Sequence, residues 1–510
     1  MNVVVGSGVA GLEENAFEYC SSLSGIYFQG DAPTDGGNIF LNDSQATVYY
    51  VAETAGWGAT YGDRPTARWN PFTYTINAGK ITITGYIGAG GPLSIPAVIA
   101  GMPVSSIGNA AFQFDVNLTG VTIPNSVTII DYYAFFACTN LTSANIGSSV
   151  ATLGDGAFSG CSALTAVTLP NSVVSIGSFA FTGCRSLSSL ATSNNVTSIG
   201  DLAFWGCSHL TLVTLGSGVA SIGPRAFLDC TSLTGIAVDT HNLHYNSYYG
   251  SASGVLFNKS GTELLVFPEG YLGAYSIPAG VATIGDYAFE KCSKVTSITI
   301  PTSVTRIGAE AFYNCTGLTT LTLPNSVTNI GAGAFSSCGR LSSVILPGGI
   351  TSLGTNVFAY CDSLTSITIP ASVTSIAYQA FFNCTNLTAV YFRGNTPSLD
   401  SAVFEGDNKA TVYYTYGTTV WSSTFGGRPA VLWNPMAQTG GSSFGVRTNQ
   451  FGFNITTGSL GLVVVVEACT DLSHPVWQPL RTNTLTTGTT YFSDPQWMNY
   501  PIRFYRLRSP

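Results

Sequence analysis

Cysteine is the residue type with the most regular spacing in this chain, and a thiol can ligate a metal, form a disulfide or act as a nucleophile. Cysteines recur every 23 residues in two series: Cys138, Cys161, Cys184, Cys207 and Cys230, then Cys292, Cys315, Cys338, Cys361 and Cys384. Residues repeated at equal intervals stack in parallel, whereas a disulfide or a tetrahedral metal site needs side chains that converge. We therefore expect buried thiols that pack as small apolar groups. Oxidised pairs between some of them are the alternative.

The rest of the sequence lacks the patterns that support catalysis. It contains no phosphate-binding loop and no pair of carboxylates at matching positions. His241 and His244 lie close to Asp239 and could form a surface metal site, although solvated loop histidines explain them as well. We expect no enzymatic activity, no metal and no cofactor.

Composition limits the partners that this chain can have. Only 9% of its residues are charged, the net charge is −8, and Lys and Arg do not cluster along the sequence. Binding to nucleic acid requires a basic patch, so we expect no nucleic-acid partner. The longest aliphatic run, Leu462 to Val466, is far shorter than the ~20 residues that span a bilayer, so we also expect no membrane insertion.

The cysteines belong to a repeat whose elements must position them. One unit, Leu164 to Arg185, reads LTAVTLPNSVVSIGSFAFTGCR, and its neighbours repeat that pattern. Self-similarity at ~20–29 residues is typical of a solenoid, in which each coil buries its apolar residues by stacking on the next. Leu164, Val167 and Leu169 indicate a strand with its apolar side chains inside the coil, and Pro170 ends it.

The second half of the unit supplies the other sides of the coil. Val173 and Ile176 indicate a second side, and Ala180, Phe181 and Cys184 would share one face of a short helix. The sequence therefore predicts a strand-rich solenoid of 23-residue leucine-rich-repeat coils, each a β-strand plus a short helix. We expect the phenylalanines of the repeat to form a buried spine and its cysteines to be buried and unbonded, in particular Phe158, Phe181, Phe204, Phe312 and Phe335, and Cys161, Cys184, Cys207, Cys315 and Cys338.

Aspartate replaces cysteine in the same slot at the ends of the repeat arrays. Asp115 holds the slot in an opening coil, and Asp43 and Asp407 hold it in closing coils. A carboxylate without a partner is costly to bury. We therefore predict that these three side chains reach solvent or accept backbone hydrogen bonds.

A second self-match divides the chain. Residues 23–71 align with residues 387–435 at a constant offset of 364, and both stretches contain TVYY and end in Trp-Asn-Pro. We interpret both as C-terminal caps, so that residues 1–71 are the end and cap of a first array. Because this array begins inside a repeat, we expect a truncated N-terminus, which would hide any signal peptide.

Residues 72–434 are predicted to form a complete solenoid with an N-terminal hairpin. We expect its insert, at about 239–271, to form a hairpin beside the coils, and its cap to occupy residues 393–434. Residues 435–443 read as a polar linker, and residues 444–510 as a small β-sandwich-like domain.

The amino-acid sequence of the repeat resembles that of a known family. The segments SLTSITIPASVTSIAYQAFFNC (Ser363 to Cys384) and LTTLTLPNSVTNIGAGAFSSC (Leu318 to Cys338) resemble the BspA-like subfamily of leucine-rich repeats. This resemblance implies a bacterial protein, secreted or displayed on the cell surface, that binds other proteins or host and matrix surfaces without enzymatic activity. On that basis we expect a non-enzymatic adhesion or protein-interaction scaffold, with a glycan-binding module as the alternative.

Two surfaces are candidates for binding. The outward positions of the strands carry hydroxyl side chains with almost no charge, among them Thr168, Thr299, Thr322 and Thr368. The insert carries Tyr245, Tyr248 and Tyr249, a residue type enriched in binding hot spots. The simpler interpretations are a solvated strand face and tyrosines that close the core.

Overall fold

The computed structural model describes residues 2–6, 8–43, 45–51, 54–88, 90–247, 254–415, 417–448, 450–457, 462–486 and 488–508. The chain divides into two compact units, Met1–Gly261 with Phe267–Tyr271 and Thr262–Val266 with Leu272–Pro510. Both consist of coils that repeat at about 23 residues and contain strands and turns. Within the described ranges, no helix has the length and apolar character needed to cross a membrane.

Each coil of the first unit has strands on two sides, here called face strands and side strands. The face strands are Gly91–Ser94, Leu118–Thr122, Ser143–Asn145, Ala166–Thr168, Ser189–Ala191, Leu212–Leu215 and Gly235–Val238. The side strands are Met102–Ile107, Ile129–Ile130, Thr152–Leu153, Ser175–Ile176, Ser198–Ile199 and Ser221–Ile222, with Val98–Ile99 antiparallel to the first of them. Most neighbouring face strands pair in parallel, as Ala144 does with Val167.

The first unit also contains the cap, the hairpin and part of the insert. The cap strands are Asn2–Val5, Gly25–Phe28, Thr47–Val51, Arg64–Trp69 and Thr60–Tyr61, in that sheet order, with Gly11–Leu12 and Thr34–Asp35 as a separate parallel pair. Phe72–Asn77 and Lys80–Tyr86 form the hairpin. In the insert, Tyr245–Asn246 runs antiparallel to Leu256–Asn258.

The second unit repeats the same design. Its face strands are Gly273–Ser276, Val295–Thr299, Thr320–Thr322, Ser343–Ile345, Ser366–Ile369, Ala389–Phe392, Thr411–Thr415 and Arg428–Trp433, with Thr424–Phe425 antiparallel to the last. Its side strands are Glu263–Val266, Thr283–Ile284, Arg306–Ile307, Asn329–Ile330, Ser352–Leu353, Ser375–Ile376 and Ser398–Leu399. Val412 pairs with Ala430 and Val48 with Thr66, so the two caps share one strand arrangement at the offset of 364.

Glu263–Val266, which lies within the predicted insert, is a strand of the second unit. It pairs in parallel with Thr283–Ile284, and Leu264 is fully buried. This segment places an apolar residue where side strands bury one, so it takes a side-strand position in the second unit.

The C-terminal residues form two antiparallel sheets, as a sandwich requires. The first sheet contains Met436–Ala437, Gln450–Thr456, Gly445–Arg447 and Thr489–Asp494, the second contains Gln478–Leu485, Leu462–Cys469 and Phe504–Arg508, and Trp497–Asn499 is a single 3₁₀ turn. Met436 pairs with Thr456 and Ala437 with Ile455. The predicted linker 435–443 is therefore wrong at its start, because these two residues complete a sheet.

The short helix predicted for each coil is replaced by consecutive turns. Phe179 and Gly183 adopt left-handed backbone angles, with φ of 58° and 70°, which interrupt a helix. The Cys184 N–H donates back to the Phe181 carbonyl at 3.1 Å, but the Phe181 N–H donates to the Ala203 carbonyl of the next coil at 2.7 Å. This third side of the coil therefore also joins its neighbours by backbone hydrogen bonds.

The phenylalanine rings stack from coil to coil inside each unit. The ring centroids of Phe158, Phe181 and Phe204 are 5.5 and 5.4 Å apart, and each pair is inclined by only 4°. In the second unit, Phe312 and Phe335 stack at 5.4 Å. All of these rings are fully buried.

The repeat cysteines from Cys138 to Cys384 are buried, and most of them make the same hydrogen bond. All twelve are free thiols. In nine coils the thiol donates to the carbonyl of the phenylalanine 26 residues earlier at 3.0–3.3 Å: Cys138, Cys161, Cys184, Cys207, Cys230, Cys315, Cys338, Cys361 and Cys384. Burial raises the pKa of Cys207 and of Cys338 to about 12.

The aspartates of this slot divide into two groups. Asp115 is half-buried and accepts the Asn117 N–H at 3.1 Å, which agrees with the prediction. Asp43 and Asp407 are buried, so the prediction that they reach solvent is wrong for both, and no hydrogen bond of ordinary geometry reaches either carboxyl. The cap strands continue past these positions and cover them, so the closing coils are not open to solvent.

Candidate interaction surface

The outward positions of the face strands form a surface of small polar side chains, here called the strand face. In Ala166–Thr168 the central valine is buried and its two neighbours are exposed, as strand alternation requires. Thr168 in the first unit and Thr299 and Thr322 in the second are exposed, whereas Thr368 is half-buried. The parallel ladder fixes the backbone that carries these hydroxyl groups.

The strand face changes character toward the end of the second unit. Thr322 pairs with Ile345, Thr368 with Tyr391, and Tyr391 with Tyr413. Ile345 is 59% exposed, whereas Tyr391 is 2% exposed. Toward the end of the second unit, the exposed hydroxyl side chains of the strand face therefore give way to an exposed apolar side chain and then to buried tyrosines.

The C-terminal domain covers this last part of the strand face. Ala389, Tyr391 and Tyr413 share one hydrophobic cluster with Phe453 and Val464 of that domain. The Trp433 indole also donates to the Val463 carbonyl at 3.4 Å. The domain is therefore packed on the last coils of its own unit through outward strand positions.

A groove of about 760 Å³ runs along the margin of this packed domain. Face-strand residues form one side, and residues of the last strand of the C-terminal domain form the other. The residues that determine its chemistry are Ser343, Ile345, Ser366, Thr368, Arg393, Arg506 and Arg508. Among the described residues that line the groove, none carries an aromatic ring.

Two of the groove arginines share one buried carboxylate. Arg506 Nε donates to Glu467 Oε2 at 2.7 Å, and Arg508 Nε donates to Glu467 Oε1. The Glu467 side chain is 5% exposed, against 46% for Arg506 and 33% for Arg508. Burial acts to raise the pKa of Glu467, but the hydrogen bonds from the two arginines outweigh it and hold that pKa below its usual value.

Arg393 adds a third cation. It follows the face strand Ala389–Phe392 and is exposed to solvent. Partial loss of hydration lowers its pKa, and the positive charges of Arg508 and Arg506 lower it further, whereas Glu467 opposes the shift. Three guanidinium groups therefore lie close enough to repel one another.

Sequence reasoning missed this cluster. Arg506 and Arg508 are two residues apart on one strand, so their shared face was a readable signal. Arg393 is distant in the sequence, and only the packing of the C-terminal domain brings it to them. Lys and Arg do not cluster along the sequence, but these three arginines come together in the folded chain.

Of the three tyrosines proposed as binding residues in the insert, the structure describes Tyr245. Tyr245 is half-buried in the strand Tyr245–Asn246, and its hydroxyl donates to the Ala220 carbonyl at 3.4 Å. Burial raises its pKa. Tyr248 and Tyr249 lie outside the described residues.

In the part of the chain that the structure describes, no three His, Cys, Asp or Glu residues are grouped so that they could hold a metal ion. His241 Nδ1 lies 3.1 Å from Asp239 Oδ1 on the surface.

Comparison with known families identifies the repeat. The family described as BspA type leucine rich repeat region matches in six copies, over residues 105–234 and 282–411, which is about half of the chain. The chain belongs to the BspA-type leucine-rich repeat family. The predicted resemblance and the strand-rich solenoid are thereby confirmed, with turns in place of the short helix.

Several solved structures are similar to this chain in their fold. A leucine rich cell surface protein from Faecalibacterium prausnitzii is 29% identical, with 69% of this BspA-type chain and 96% of that chain covered and a TM-score of 0.49. The pneumococcal vaccine antigen PcpA is 20% identical, with 72% and 98% covered and a TM-score of 0.54, and shows the fold alone. No curated protein matches the chain.

Proposed function

We propose that this protein is a non-enzymatic scaffold that binds other proteins outside the cell, as a secreted or surface-displayed bacterial adhesion protein. The observation that carries the proposal is the strand face, a ladder of parallel strands whose outward positions are exposed hydroxyl side chains such as Thr299 and Thr322. Membership in the BspA-type family supports the extracellular setting.

The physical basis is preorganisation. Backbone hydrogen bonds hold each face strand to at least one neighbour, and the buried phenylalanine stacks fix the coils behind them. Because such a surface is already ordered, binding of a partner costs little conformational entropy, and modest contacts can together give a stable complex. Few charged side chains would lose their hydration on binding, because charged residues make up only 9% of the chain.

A glycan-binding module remains the alternative function, and the described surface favours it less. Sugar rings are commonly held on an exposed aromatic ring next to polar groups. Tyr245 is half-buried against its own chain, and the described lining of the groove contains no ring. Protein partners therefore fit the described surface better.

The test uses the full chain on immobilised fibronectin, laminin and collagen, beside a glycan array. We expect saturable binding to at least one protein, weakened ~10-fold or more by Thr322→Arg, because the new side chain stands on the strand face. Asn329→Arg is the matched control, since Asn329 is exposed on a side strand of the same coil. Binding to glycans alone, or equal effects of the two variants, would contradict the proposal.

A further inference from the structure

The arginine groove, defined by Arg393, Arg506, Arg508 and the face-strand residues beside them, carries a local charge opposite to that of the chain. Three guanidinium groups face one carboxylate, that of Glu467, so the groove keeps a positive excess within a chain of net charge −8. Guanidinium groups form strong, often paired hydrogen bonds with carboxylates. The groove is therefore complementary to an anion.

The opposite side of the groove is apolar at one point. Ile345 occupies the outward position at which the neighbouring coils carry Thr322 and Thr368, and it is 59% exposed. An exposed isoleucine beside arginines is suited to an anion that carries an apolar group next to its charge. The volume of about 760 Å³ falls in the usual range for binding clefts of ~300–1,000 Å³ and could hold several side chains.

We propose that the arginine groove binds an acidic segment of a partner protein, with Asp or Glu carboxylates on Arg393 and Arg506 and an adjacent apolar side chain on Ile345. This inference rests on the proposed function, because it names the class of protein segment that the scaffold recognises. A sulfated or carboxylated glycan shares the charge but lacks the apolar side chain. It would leave Ile345 without a contact.

The experiment measures binding of a fluorescein-labelled peptide of alternating glutamate and leucine to the full chain by fluorescence anisotropy. We expect saturable binding that weakens as salt is added. Arg393→Gln should weaken it ~10-fold, because a charge-assisted hydrogen bond is lost, and Ile345→Thr, which restores the residue of the neighbouring coils, should weaken it ~3-fold or more through loss of the apolar contact. Arg393 has no ion pair with Glu467, so its replacement leaves the contacts of the C-terminal domain in place.

The controls separate this site from general charge effects. Arg340→Gln removes one positive charge at an exposed turn of the same unit and should leave the affinity unchanged. A peptide of alternating glutamine and leucine should not bind. No saturable binding of the acidic peptide, equal effects of Arg393→Gln and Arg340→Gln, or tighter binding of a heparin fragment that is unaffected by Ile345→Thr would overturn the inference.

The outcomes also separate this inference from the proposed function. If matrix-protein binding is lost in Thr322→Arg but unaffected in Arg393→Gln, and the peptide does not bind, the groove assignment fails and the scaffold function stands. If no matrix protein binds while the peptide does, the adhesion role fails and the groove assignment stands.

Discussion

At the scale of single residues, the repeat position that cysteine occupies carries a hydrogen-bond donor, the thiol. In the last cysteine-bearing coil, the Cys384 thiol donates to the Phe358 carbonyl at 3.0 Å. In the next coil Asp407 holds the same position, 26 residues after Phe381, and an ionised carboxylate has no hydrogen to donate to a carbonyl. Burial raises the pKa of Asp407 to about 7, although the backbone of Cys384 and the charge of Arg428 oppose the shift.

This geometry predicts a pH-dependent cap. The Asp407 pKa is higher in the folded chain than in the unfolded chain, so the unfolded state releases its proton first and stability falls as pH rises from about 4 to about 7. Asp407→Asn supplies an N–H donor at every pH. We expect it to stabilise the second unit by ~1–3 kcal/mol at about pH 8. The gain should disappear below about pH 4, where both chains carry a donor, as measured by thermal unfolding across pH.

Asp362→Asn is the control for this prediction, because Asp362 is exposed and loses the same charge. A gain that does not change with pH, or an equal effect of Asp362→Asn, would show that Asp407 is ionised in the folded chain.

At the scale of elements, periodicity predicted which side chains are inside but not the path of the backbone between them. Ala180, Phe181 and Cys184 at i, i+1 and i+4 suit one face of a helix, and the same spacing also suits consecutive turns. The deciding feature is the left-handed backbone at Phe179, φ 58°, in a residue type that rarely adopts it. Gly156 and Gly333 hold the same repeat position in other coils and are also left-handed, so the angle belongs to the repeat, but most coils place other residue types there.

The stacked rings predict a large, local cost for removing one of them. Phe204 lies between Phe181 and Phe227, with ring centroids at 5.4 and 5.7 Å, so a Phe204→Ala cavity would be bordered by rings that cannot collapse into it. We expect a loss of ~3–5 kcal/mol in guanidinium unfolding. Leu212→Ala on a nearby face strand, where the leucine is 46% exposed, should cost under ~1 kcal/mol. Similar losses for the two variants would contradict the assignment of the core.

At the scale of the whole molecule, the alignment of residues 23–71 with residues 387–435 predicted two similar caps, and the two caps do pair their strands in the same way. Local sequence carries that information. The candidate site is different. Thr168, Thr299 and Thr322 could be placed on an exposed face by alternation alone. Arg393, Arg506 and Arg508 meet only because Tyr391 and Tyr413 anchor the C-terminal domain on the solenoid, a long-range contact without a local signal.

The central claim is that ligands bind on the strand face and not on the side strands. Hydrogen–deuterium exchange of the full chain, with and without whichever of fibronectin, laminin or collagen it binds, tests this most directly. The account predicts slower exchange in the face strands Thr320–Thr322, Ser343–Ile345 and Ser366–Ile369, and unchanged exchange in the side strands Asn329–Ile330 and Ser352–Leu353. Protection confined to the side strands, or the absence of any bound protein, would contradict it.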